Sequence, residues 1–173
     1  DELGGYLATR HLLALGHRRI GLVAGQLDES TAALRLDGYR RAHKEQGVPV
    51  DERLIAASSF LADGGVAAGT KLLTMADRPT ALVTVNDAAA VGAMSVARDL
   101  GLSIPRDLSI VGHNDDELAL LLPVPLTTIH VQLSEIGRGC IDTIIARING
   151  ESTEQIVLLP FLVVRSSTAR IDS

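Results

Sequence analysis

The chain alternates between short unbroken apolar runs and longer amphipathic stretches. Runs at 20–24, 54–57, 80–85 and 108–112 lack strict polar–apolar alternation, the mark of strands covered on both faces. Between them, 31–46, 63–75 and 88–100 read as helices; Gly47 and Gly101 stop the first and last, and Asp63 is placed to cap the second. A helix over 3–15 opens the chain, with Leu3, Tyr6, Leu7 and Ala14 at helical spacing and Gly16 as its stop. Strands alternating with such helices predict βαβ units and a mostly parallel sheet. After Pro125 the pattern changes. A strand over 127–131 precedes a helix over 133–148 that gathers Leu133, Ile136, Cys140, Ile141, Ile144 and Ile148 on one face. Cys140 is therefore expected in the core. Two strands, 156–159 and 161–164, close the chain around Pro160.

The chemistry concentrates where strands stop. The run 108–112 ends at His113-Asn114-Asp115-Asp116, and the run 80–85 ends at Asn86-Asp87. In an α/β sheet these are carboxyl-edge positions, where ligands bind. Amides and carboxylates there point to a hydrogen-bonding cleft rather than a reactive centre. Arg35, near the start of the 31–46 helix, offers a planar fork of donors to hydroxyls or a carboxylate; its alternative is a surface pair with Asp28 or Asp37. The Asn86 amide both donates and accepts, which suits vicinal hydroxyls, but it can equally cap the helix that follows. Asn114 and Asp115 serve a ligand or local turn bonds. Phe60, leaving a short strand, is either a flat wall for a sugar or purine ring or a core anchor. Asp28, Glu29 and Thr31 line the loop before Arg35.

Composition narrows the classes. At 173 residues and 46% apolar content the chain makes one domain with a real core. Net charge is −5 with no basic block, so this chain alone is not built to bind nucleic acid. A single cysteine excludes an internal disulfide. With an acidic start and no apolar run of spanning length, the chain reads as soluble and cytoplasmic, without a membrane partner. No nucleophile elbow, zinc-protease, P-loop or dinucleotide motif is present, so neither an enzyme nor a cofactor is indicated. His113, Asp115 and Asp116 do not make a metal site, because adjacent residues diverge and no second cluster joins them.

On these residues the chain resembles the effector-binding domain of the LacI/GalR family of bacterial transcription regulators. GGYLATRHLLALGHRRIGLVAG, STAALRLDGYRRAHKEQGVPVD, RPTALVTVNDAAAVGAMSVARDLGLSIPRDLSIVGHNDDELA, PLTTIHVQLSEIGRGCIDTIIARINGE and VVRSSTA carry the likeness, which covers essentially the whole chain. The resemblance implies a type I periplasmic-binding-protein-like fold, a three-layer α/β sandwich with a parallel sheet, and a small effector in a cleft between two subdomains. It implies that 16–130 and 160–170 form the C-terminal subdomain, while 1–15 and 131–159 pack on an N-terminal subdomain largely absent here. It assigns effector contacts to Arg35, Asn86, Asn114, Phe60 and Thr31, with Asp28 and His113 beside them.

The chain departs from the family at its aromatic-Asp-Asp pattern, which is here His113-Asn114-Asp115. An amide in place of a carboxylate gives up charge-assisted bonds, roughly twice as strong as neutral ones, and favours an anionic effector over an ordinary sugar. Leu133 stands where some relatives stack an aromatic. The family's helix-turn-helix and hinge helix are also absent. The expectation is thus the sensing and dimerising portion of a LacI-type regulator. It would bind a sugar or sugar derivative, or alternatively a purine or nucleoside, would touch operator DNA only through a head outside this chain, and would self-associate to cover the 133–148 face. The competing reading is a transport solute-binding protein of the same fold.

Overall fold

The computed structural model describes residues 1–171. Five parallel strands form the sheet: β1 (Ile20–Ala24), β2 (Ile55–Ala57), β3 (Ala81–Thr84), β4 (Ser109–Asn114) and β5 (Thr127–His130). A sixth, β6 (Phe161–Val163), joins antiparallel at the β5 edge, giving the order β2-β1-β3-β4-β5-β6. Four helices cover the sheet. α1 (Glu2–Ala14) and α2 (Ser30–Glu45) lie on one face, α3 (Ala62–Leu73) and α4 (Asp87–Asp99) on the other. Alternate residues of each strand feed the two cores. Val23, Leu82 and Ile110 pack with α3 and α4; Leu22, Val83 and Val111 pack with α1 and α2. This is the predicted three-layer α/β sandwich, and its continuously buried strands follow from having both faces covered.

Each helix pair is brought close by glycine. A Cβ on Gly5 of α1 would collide with the Arg35 carbonyl of α2, and one on Gly65 of α3 would collide with the Ala89 carbonyl of α4. The first contact fixes the backbone that carries Arg35.

Several expectations are corrected. α1 packs within this sandwich, with Ala8, Leu12 and Leu13 buried in the α1–α2 core. β4 runs two residues further than 108–112, through His113 and Asn114, because both pair with β5. A short helix, α5 (Glu117–Leu121), follows it. Asp63 does not cap α3. Leu61 holds the cap position, while Asp63 sits in the first turn, accepting from Ser59 Oγ at 3.0 Å and from its neighbour Gly64 N at 2.6 Å. Residues 156–159 form no strand. The last helix, α6 (Leu133–Ile148), buries none of its residues; Ile141, Ile144 and Ile148 are exposed, and Cys140 is a free, exposed thiol rather than a core residue. Among the described residues, no helix is long and apolar enough to cross a membrane.

Candidate functional site

β1, β3 and β4 end side by side, and α2 begins just above them, so their last residues converge. Arg35 is brought here by the first turns of α2. Its Nη1 donates to the Val85 carbonyl, while Nε and Nη2 donate to Asp1 Oδ1 at 3.1 and 2.9 Å. Neither Asp28 nor Asp37 is its partner. Its side chain is only 12% exposed, and burial lowers its pKa to about 10. His113 lies against the same space, beside Gly4, where a side chain would strike the imidazole. Burial, and then the Arg35 charge, push His113 down to about 2, so its ring is neutral at any physiological pH. Arg35, His113, Gly5, Gly25 and Thr84 enclose a recess with about 10 Å³ for the centre of a water-sized molecule, room for one water.

Asn86 stands beside this recess, and its amide serves the fold. Oδ1 accepts from Ala89 N at 2.8 Å as the α4 cap, and Nδ2 donates to the Phe60 carbonyl at 2.7 Å. One lone pair and one N–H of the amide are left over. Phe60 is part-buried; its ring packs on the α3–α4 core and abuts Gly25. Asn114 ends β4 half-buried, with φ 108°. Thr31 sits part-exposed in the first turn of α2, and Asp28 is exposed in the turn before it. No hydrogen bond ties either of them to Arg35 among the described residues. The structure thus brings Arg35 and His113 to one recess, joins Asn86 to Phe60, ends β4 at Asn114, and keeps Thr31 and Asp28 in the turn and helix start that precede Arg35.

Two carboxylates matter more than their sequence context suggested. Asp87, 3% exposed, accepts from Thr128 Oγ1 at 2.6 Å and from Asp116 N at 2.8 Å. It thereby ties α4 to β5 and to the loop after β4. Burial pushes its pKa up to about 6 against these bonds. Gly112 makes room for it, since a Cβ there would collide with Asp87 Oδ1. Asp115, also at positive φ (62°), accepts from Arg165 Nη2 at 2.6 Å and His130 Nδ1 at 2.9 Å. Burial works to raise its carboxyl, and these two bonds more than reverse that, leaving it below the ordinary value. The Asn-Asp pair and the following Gly112 could have flagged Asp87. No spacing in the sequence links residues 115, 130 and 165.

A buried fork of donors, a neutral imidazole and amides at the carboxyl edge of parallel strands define an α/β module with a hydrogen-bonding cleft edge. Residues 9–168 match the family model described as periplasmic binding protein-like domain. The chain belongs to this family, and it is similar to LacI-type regulators. It is 42% identical over 169 residues to the ribose operon repressor of Haemophilus influenzae, covering 96% of this chain and 51% of that protein. It is 35% identical to the HTH-type transcriptional repressor PurR of Vibrio atlanticus, covering 99% of this chain and 52% of that one. A solved LacI family regulator from Enterococcus faecium with bound ribose superposes with TM-score 0.91 at 30% identity, covering 99% of this chain and 65% of that chain. The chain spans about half the length of the curated relatives it matches.

Proposed function

We propose that this chain is the ligand-sensing portion of a cytoplasmic LacI-type transcriptional regulator. The carrying observation is the buried Arg35–His113 cluster at the carboxyl edge, in a chain whose relatives include a ribose operon repressor. The effector is a small molecule rich in hydrogen-bonding groups, a sugar or sugar derivative first and a purine or nucleoside second. Arg35, with the spare hydrogen-bonding capacity of Asn86 and Asn114, recognises its hydroxyls, Phe60 and His113 shape the wall, and Thr31 and Asp28 flank the entrance. Residues 16–130 and 160–170 form one wall of the cleft, and α6 presents its apolar face to the other. Binding shifts the balance between two arrangements of these walls, and only differential affinity for the two can do so. DNA contact falls to the part of such regulators that this chain does not span.

Thermal melting of the full-length regulator against sugars, sugar phosphates, nucleosides and purines tests the reading. An effector at 100 times its Kd should stabilise by about 2.7 kcal/mol. Arg35→Ala should abolish that shift; a full shift in the variant removes Arg35 from the site, and no shift with any compound overturns the reading.

A further inference from the structure

The chain leaves the sheet after His130 and returns at Phe161. These two residues are register partners in the antiparallel β5–β6 pair, their rings stacked 4.8 Å apart. Asn114 of β4 is in turn the register partner of His130. The exit strand, the return strand and the end of β4 thus meet at one point. Asp115 occupies it. One carboxylate oxygen takes Arg165, just beyond β6, and the other takes His130 at the end of β5. Arg165 is anchored further by Nη1 on the Leu126 carbonyl at 2.8 Å and by its own N–H on Thr127 Oγ1 at 2.9 Å. Asp115 and Arg165 are 14% and 16% exposed, so solvent screens their pair only weakly. Asn114 and Asp115 both hold positive φ, uncommon outside glycine and taken most readily by Asn and Asp.

We propose that Asp115 is a positioning residue: its bonds to His130 and Arg165 fix the left-handed backbone that presents Asn114, and lock it to the two strands through which the chain leaves and re-enters the sheet. The proposal deepens the sensor reading and rests on it for the role of Asn114. Movement of Asn114 toward or away from a bound molecule would then be felt directly at both crossovers.

Amide hydrogen exchange on this chain tests the clasp without a ligand. Asp115→Asn keeps the shape but gives up the charge and presents an NH2 to one of two donors. It should speed exchange about tenfold at 113–116, 128–131 and 161–165 together, with β1 and β3 unchanged. Arg165→Gln, which spares the carboxylate, should reproduce this pattern and stands in if the first variant does not fold; the double variant should be no faster than either single. Acceleration confined to 113–116, acceleration spread evenly over the sheet, or additive effects in the double variant overturns the clasp. D-ribose added to the full-length regulator is read separately: failure to protect 113–116 there counts against ribose as the effector, and the ligand-free comparison still decides the clasp.

Discussion

Asp87→Asn isolates the energetics of the buried carboxylate that joins α4, β5 and the loop after β4. The wild-type group ionises near 6 when folded, against 3.8 in the open chain. A carboxyl whose folded pKa is raised contributes stability below 3.8, and that contribution is lost as pH climbs through 3.8 toward 6. The full interval corresponds to about 3 kcal/mol, of which about 2 kcal/mol falls between pH 4 and 7.5. The asparagine is nearly isosteric and does not titrate. Its Oδ1 can keep the Asp116 N–H, and its NH2 can donate to Thr128 Oγ1, as the protonated acid would. Urea unfolding of both proteins at pH 4, 5.5 and 7.5, with unchanged m-values, gives the difference in stability at each pH, and titrations common to both cancel. The variant should gain on the wild type by about 2 kcal/mol across that range. A difference constant to within about 0.5 kcal/mol, or one moving toward the wild type as pH rises, would refute the argument that burial outweighs the two hydrogen bonds.

His113→Phe removes an imidazole that the fold holds neutral. Because its folded pKa lies below the 6.5 of the open chain, its contribution is intact above 6.5 and is lost as pH falls. The wild type should therefore lose urea resistance from pH 7.5 to 5 more steeply than the variant; parallel slopes would show that the ring is solvated. Exposed Leu61, Leu118, Leu120 and Leu121, together with the bare face of α6, leave large apolar surface to cover. Sedimentation velocity should show self-association at micromolar concentration, and a monodisperse monomer would count against it.

The sheet was legible because strands covered on both faces are mostly apolar without alternation, and here they are short and bounded by turn residues. Asn86 and Asn114 were legible as candidates because they stand at strand ends, and Arg35 because it stands near the start of the helix after β1. Their division of labour was not: the Asn86 amide reads as either cap or ligand contact, and only the Phe60 carbonyl and Ala89 N–H show how much of it the fold consumes. The helices mark the opposite limit. α6 carries the stronger apolar face, yet it is bare while the weaker one of α1 is buried. Amphipathic spacing reports that a face requires cover and says nothing of what covers it. For α1 the answer lies in Gly5 and Gly38, which let α2 approach to backbone contact. α6 has no such backbone approach and no facing strand among the described residues, so its apolar face stays exposed. The polar residues obey the same logic. A carboxylate such as Asp115 acquires its meaning from Arg165 and His130, fifty and fifteen residues away, because the chain crosses out of the sheet and back between them. Local pattern locates groups that need partners, and long-range topology decides which of those needs the fold meets and which it leaves for a ligand.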